Sequence, residues 1–257
     1  MRNQPALQSD ILRYIVDNGY EPGDQLPTIQ EISRDLDVSV AKTRESLEVA
    51  RALGIVEIKP GRGTRVAQYS FEPACTLSVL YAIGVGQTRH NFKYVRQLRN
   101  AIEVSFWAEA TSKLTEEDIE ELYRLIDKAF VLLERSPIKV PADEHRAFHL
   151  RIFSRLGNPF VDGFLKSYWE AHDSFGLNTY ANLNYHMKVW NYHRRIVDSI
   201  KEGNAQLGRV LLIEHYNLLR HQEDVEREMA VEIPMDLQML YNDLSASIDE
   251  TSPQSGD

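Results

Sequence analysis

The chain has 257 residues, 43% hydrophobic and 26% charged, a size and balance that suit two ordinary folded domains. Its formal charge of −9 and pI of about 5.4 exclude a uniformly basic nucleic-acid coat, though not a small basic face on one domain. One cysteine, Cys75, excludes an internal disulfide framework and a cysteine-rich zinc module. The first residues, MRNQPALQSD, are polar and lack a signal-type apolar stretch, and no run of about 18 apolar residues could span a bilayer, so a cytoplasmic protein away from the membrane is expected.

Charge and histidine are unevenly placed. Residues 1–68 carry 9 Lys/Arg against 10 Asp/Glu, and the remainder 20 against 28. All eight histidines lie at or after His90. Two parts with different partners are expected.

The first part reads as three short helices and a hairpin. Leu7, Ile11, Leu12, Ile15 and Val16 recur at helical spacing, and the pattern stops at Asn18-Gly19. After the turn Glu21-Pro22-Gly23-Asp24, the run Thr28-Ile-Gln-Glu31 has capping-box form and opens a helix with Ile29, Ile32 and Leu36 inward. Ser39 caps a third helix that runs to Leu53 and ends at Gly54. Two β-branched runs, Ile55–Ile58 and Thr64–Val66, flank the glycine-rich turn Lys59–Gly63.

Residues 67–90 read as a connector with a helix near Thr76–Ile83, and from Asn91 onward the pattern is helical. Val95, Leu98, Ile102 and Phe106 form one stripe; Thr115-Glu-Glu-Asp118 caps the next helix, with Ile119, Leu122, Ile126 and Leu133 as its stripe. Further helices are predicted near 141–156, 159–175, 183–202 and 204–228. The polar end, Thr251–Asp257, has the composition of a disordered tail.

Two helices separated by a tight break and followed by a short hairpin make a DNA-docking shape. The third helix enters the major groove and the wing lies along the backbone or minor groove. Lys42 and Arg44 fall in the first turns of that helix; Lys59, Arg62 and Arg65 fall on the wing. The competing reading is a solvated surface with ordinary charges.

The motifs here resemble the GntR family of bacterial regulators. Glu21-Pro-Gly-Asp-Gln-Leu-Pro27 is similar to that family's PGxxLP turn. Val38-Ser39 followed by Arg44-Glu-Ser-Leu47 resembles its recognition helix, and Gly54-Ile-Val56 with Gly61-Arg-Gly-Thr-Arg-Val66 resembles its wing. The resemblance covers residues 5–67 and implies sequence-specific binding of a palindromic double-stranded operator by a homodimer. The residues it assigns to DNA are Thr28, Gln30, Ser39, Val40, Lys42, Arg44, Arg62, Gly63 and Thr64. Gln30 and Val40 stand where the family usually has arginines. Glutamine prefers adenine and valine offers only apolar contact, so less guanine readout is expected than at the family's usual half-site.

The second part resembles the FadR-type effector (FCD) domain of the same family, a bundle of six or seven helices. The resemblance rests on Arg99-Asn-Ala-Ile-Glu103, Phe148-His149, Gly157-Asn-Pro159, His193–Ile200 and His215-Tyr216, across roughly residues 91–228. A metal is also suggested by the residues themselves. His145 and His149 are i,i+4 and project from one helix face, while His193 and His215 lie on or beside inward stripes of two further helices. All four can converge inside a bundle. The bland alternative is a set of partly buried histidines satisfied by backbone or tyrosine hydroxyls.

In the family the first ligand is normally Asp or Asn; here it is His145. Imidazole in place of carboxylate leaves the ion's charge uncompensated and shifts preference toward Zn, with Ni, Co or Cu as further candidates. A more positive site should hold an anionic effector more strongly. Arg99 falls at a position the family often uses to hold an effector carboxylate; the alternative is an intrahelical pair with Glu103.

The fold class expected is mainly α. It comprises a winged helix-turn-helix (1–68), a linker (69–90), an all-helical effector-binding and dimerisation domain (91–232) and a C-terminal extension (233–257). The function expected is transcriptional regulation by a small carboxylate or sugar acid bound at a divalent transition metal held by His145, His149, His193 and His215. A metal-free regulator of an apolar or acyl ligand is the alternative. A metallohydrolase is a weaker one, since no HExxH run exists and the nearest carboxylates, Asp143 and Glu144, precede His145.

Overall fold

Three short helices and a hairpin close around one apolar cluster at the start of the chain. The computed structural model describes residues 10–85, 88–175 and 183–218, with the side chains of 88–90 outside that description. Helices α1 (Asp10–Asp17), α2 (Ile29–Asp35) and α3 (Val40–Ala52) precede strands β1 (Val56–Lys59) and β2 (Gly63–Val66). The strands pair antiparallel, Val56 with Val66 and Lys59 with Gly63, and Gln25 bridges to Arg65 at the outer side. Ile11, Tyr14, Ile15, Leu26, Ile32, Leu47, Ala50, Val56 and Val66 form the core.

Local sequence accounts for the helix boundaries. Thr28 and Glu31 make the reciprocal capping box at α2, and the Ser39 hydroxyl accepts from Lys42 N at α3. Between the two helices Asp37 takes a left-handed φ of 52°, the tight break expected of a helix-turn-helix. Val16 departs from the predicted α1 stripe: it is exposed, and Tyr14 fills the inward position instead. Leu7 lies outside the described residues.

Seven helices follow among the described residues: α4 (Glu72–Gly84), α5 (Thr88–Ser112), α6 (Glu116–Leu133), α7 (Ala142–Phe153), α8 (Pro159–Ser174), α9 (Leu183–Lys201) and α10 (Ala205–Leu218). The chain divides into two compact units. The first holds the winged helix-turn-helix with α4 and α8, and the second holds α6, α7, α9, α10 and most of α5. The connector helix, expected near Thr76–Ile83, extends over Glu72–Gly84, and it packs on α8. Gly163 makes this possible: a Cβ there would stand 2.6 Å from the Glu72 amide nitrogen. Ser167, one turn on, bonds Thr76 Oγ1 at 2.9 Å.

In the second unit α9 packs on α6 and α10, and α6 also packs on α7. Trp107 of α5 donates its indole N–H to Ala205 O at 2.7 Å, which fixes the start of α10. A Cβ on Gly208 would lie 2.7 Å from the Trp107 ring, so only glycine permits that approach. The Thr115–Asp118 capping box forms as predicted, and Asp118 also receives Arg155 and Arg151. The predicted α6 stripe is largely inward, with Leu122, Ile126 and Leu133 buried.

The predicted α5 stripe needs correction. Leu98 is 50% exposed, while Arg99, Glu103, Val104, Trp107 and Ala110 are buried. Two charged side chains occupy the inner face because each neutralises the other there. The part of the last predicted helix beyond Leu218, and the C-terminal extension, lie outside the described residues.

Candidate DNA interface and histidine centre

The surface of the helix-turn-helix carries fewer available cations than its sequence suggests. Lys42 Nζ lies 3.1 Å from Asp10 Oδ2 of α1. Arg65 turns back on the chain, donating to Gly23 O at 2.9 Å and Gln25 Oε1 at 3.0 Å. Lys59 pairs with Glu57 at 2.7 Å. Arg44 and Arg62, by contrast, are exposed and make no side-chain hydrogen bond or ion pair among the described residues. Val40, the first residue of α3, is 38% exposed, and Arg44 follows one turn later on the same face. Gln30 is exposed on α2, beside the capping Thr28. Gly63, with a φ of +76°, shapes the wing turn, and Thr64 pairs with Ile58. Arg34, exposed in the last turn of α2, is a further cation on this helix pair that sequence reading passed over.

The four histidines converge within the second unit. His145 and His149 come from α7, His193 from α9 and His215 from α10. One ring nitrogen from each lies within 4.8 Å of the others. Ring centroids are 4.5 Å apart for His193–His215 and 5.8 Å for His145–His215, with the other pairs between. Phe148 stacks on His193 at 4.2 Å and Trp190 meets it edge-on at 4.6 Å, so the cluster is walled by aromatic rings.

The donors fit a transition-metal ion. His193 and His215 present Nε2 to Nε2 at 3.3 Å. Two nitrogens on one tetrahedral ion with bonds of about 2.0–2.1 Å stand about 3.4 Å apart. The outward Nδ1 atoms of both rings are buried with no hydrogen-bond partner among the described residues, so hydrogen bonding does not account for these two rings. Burial holds the imidazoles of His149, His193 and His215 well below their usual range, helped by neighbouring histidines and the Arg99 charge. They are therefore neutral, the form that ligates.

Arg99 sits behind this cluster. Its Nε donates to Glu103 Oε1 at 2.7 Å, its Nη1 to Asn100 Oδ1 at 3.2 Å, and its guanidinium lies 4.8 Å over the Tyr216 ring. The intrahelical pair is thus formed, at 1% and 0% side-chain exposure. Glu103 Oε2 also accepts from Tyr216 Oη at 2.6 Å and lies 3.2 Å from His149 Nδ1. Burial pushes the Glu103 carboxyl up, opposed by the Arg99 charge and the Tyr216 hydroxyl. Sequence reading treated Glu103 only as a pairing partner. The available signal was its i,i+4 spacing from Arg99, which the sequence places facing the same cavity as the histidines.

The winged helix-turn-helix is a DNA-docking shape, and the helical unit carries a buried histidine centre. Comparison with known proteins places it further. The description "Bacterial regulatory proteins, gntR family" matches residues 6–66 and "FCD domain" matches residues 94–218. The chain thus carries a gntR-type DNA-binding domain followed by an FCD domain, and it is a DNA-binding transcriptional regulator of that type.

Among its relatives, the HTH-type transcriptional regulator LutR of Bacillus subtilis (strain 168) is 24% identical over 224 residues, covering 82% of this chain and 95% of that protein. The Uxu operon regulator of Haemophilus influenzae is 26% identical over 216 residues, covering 81% and 76%. The solved structure of Streptococcus agalactiae GntR shares the fold with a TM-score of 0.58 at 19% identity, covering 82% of this chain and 97% of that one. No described helix is long and apolar enough to cross a membrane.

Proposed function

We propose that this regulator works in the cytoplasm as a homodimer on a palindromic operator. Its operator affinity is set by a small carboxylate or sugar acid bound at a divalent transition metal, zinc first. His145, His149, His193 and His215 hold the ion. The observation that carries this reading is the convergence of four ring nitrogens within 4.8 Å inside the FCD domain. When bound, such an ion supplies a positively charged, Lewis-acidic centre for an anion.

The chain's own groups favour an anionic ligand. Four neutral imidazoles bring no charge to the ion, and the Glu103 carboxylate is offset by Arg99. The ion's charge therefore remains for the effector to neutralise. Arg99 adds a guanidinium on the same side of the bundle, suited to a carboxylate. At the DNA end, Arg44 reads a base edge and Arg62 holds the backbone, while Thr28, Gln30, Ser39, Val40, Lys42, Gly63 and Thr64 complete the surface. Two copies are needed because two recognition helices one turn of DNA apart supply affinity that one lacks.

Effector occupancy ties α7, α9 and α10 together, and α7 continues through Ser154–Asn158 into α8 of the first unit. The test is a thermal-shift screen of organic and sugar acids with and without chelator. A carboxylate that raises Tm only in the absence of chelator is the expected result. Hits confined to acyl chains, or indifferent to chelator, would contradict it.

A further inference from the structure

Glu103 does more than neutralise Arg99. Its side chain is fully buried on α5, and its two oxygens gather donors from three elements. Oε1 accepts from Arg99 Nε at 2.7 Å; Oε2 accepts from Tyr216 Oη of α10 at 2.6 Å and lies 3.2 Å from Nδ1 of His149 on α7. With Glu103 ionised in its pair with Arg99, the carboxylate can only accept, so a hydrogen bond to His149 puts the proton on Nδ1. That fixes the tautomer whose lone pair is on Nε2, the nitrogen left to face His193 and His215.

We infer that Glu103 is a positioning residue for the metal site: it sets the tautomer and ring orientation of His149 and, through the same carboxylate, the placement of Arg99. This rests on the metal reading above. A histidine ligand that donates its second N–H to a carboxylate is held in orientation and made more basic, and loss of such a partner typically costs about 10–100-fold in metal affinity. Here one carboxylate serves two groups. Anything that moves Arg99, an effector carboxylate included, is felt at His149, and the ion's occupancy is felt at Arg99.

The test uses the full chain, stripped of metal and titrated with zinc against a chromophoric chelator. Glu103→Gln removes the charge but leaves Arg99 buried without its counter-charge, so this variant can fail to fold. The pair Arg99→Gln with Glu103→Gln removes both buried charges together, so no uncompensated charge is left, and the parent protein serves as its reference. Loss of the Arg99 cation by itself favours a metal cation nearby, so a fall in zinc affinity is assigned to the lost carboxylate. The fall expected is about 10–100-fold, with the double variant still folding cooperatively in the absence of metal.

Nitrogen chemical shifts of labelled histidine give a second readout. His149 is expected as the Nδ1–H tautomer in the parent protein and as a mixture in the double variant. Zinc affinity of the double variant within two- to threefold of the parent, or His149 held as the Nε2–H tautomer in the parent, overturns the inference. A parent protein that binds no zinc overturns the metal reading first, and this inference with it.

Discussion

His193 and His215 face each other Nε2 to Nε2 across 3.3 Å, one from α9 and one from α10, with both remaining ring nitrogens buried and unbonded among the described residues. Such a pair is poor value as structure. A buried polar atom without a partner costs about 1–3 kcal/mol, so histidines kept only for packing would be better as leucines. His215→Leu separates the two roles. In metal-free protein the variant is expected to melt at or above the parent temperature. In excess zinc the parent gains about 3–4 kcal/mol at 100–1,000 times its dissociation constant, and the variant gains far less. A variant that is destabilised without metal and still responds fully to zinc would assign His215 to structure.

Arg44 and Lys42 have similar sequence positions and different circumstances. Arg44 is exposed on α3 and unpaired among the described residues, whereas Lys42 is engaged by Asp10 at 3.1 Å. Arg44→Ala is expected to weaken operator binding by about 1–3 kcal/mol, the range for a base-reading arginine, and more than Lys42→Ala does. Gel-shift titration at fixed salt measures both. Equal losses, or a larger loss at Lys42, would contradict the assignment.

The operator itself carries a second signature. Gln30 and Val40 are both exposed, and neither makes a bidentate pair with guanine. Selection of random duplexes by the purified protein should return half-sites with an adenine opposite Gln30 and a thymine methyl against Val40. Recovery of the family's ordinary half-site would refute this reading of α2 and α3.

Acid stability should report on Asp118. Hydrogen bonding to Arg155 and to the Thr115 backbone and hydroxyl holds its carboxyl well below the usual carboxylate range, against the opposing effect of burial. The folded value is the lower one, so the stabilisation is complete above about pH 4, the unfolded value, and disappears as pH falls through the folded value. Asp118→Asn is expected to cost about 1–3 kcal/mol at pH 7. Urea unfolding at a series of pH values checks this: the gap between parent and variant should be constant above about pH 5 and narrow below about pH 4. A gap that persists unchanged to pH 3 would remove Asp118 from the account.

The parts of this molecule legible in sequence are those fixed by near neighbours. Thr28–Glu31 and Thr115–Asp118 announce helix starts because a capping box is complete within four residues, and the same holds for Ser39 and Gly54. The i,i+4 pair His145 and His149 was readable for the same reason. What escaped depends on contacts across the fold. Leu98 looks inward by apolarity but is exposed, while Glu103 can be fully buried because it pairs with Arg99. Arg65 reads as a wing cation until Gly23 and Gln25 are seen to bind it. The Glu103–His149 contact joins residues 46 apart in the chain, and no local spacing encodes it.

His145 stands where the sequence resemblance expects Asp or Asn, and this makes metal content the sharpest property to test. Elemental analysis of protein purified without a metal-affinity tag is the direct measurement. Close to one equivalent of a transition metal per chain is expected, zinc before nickel, cobalt or copper, and its loss when His193 or His215 is replaced. Less than roughly a tenth of an equivalent of any such metal, with no uptake on reconstitution, would contradict it.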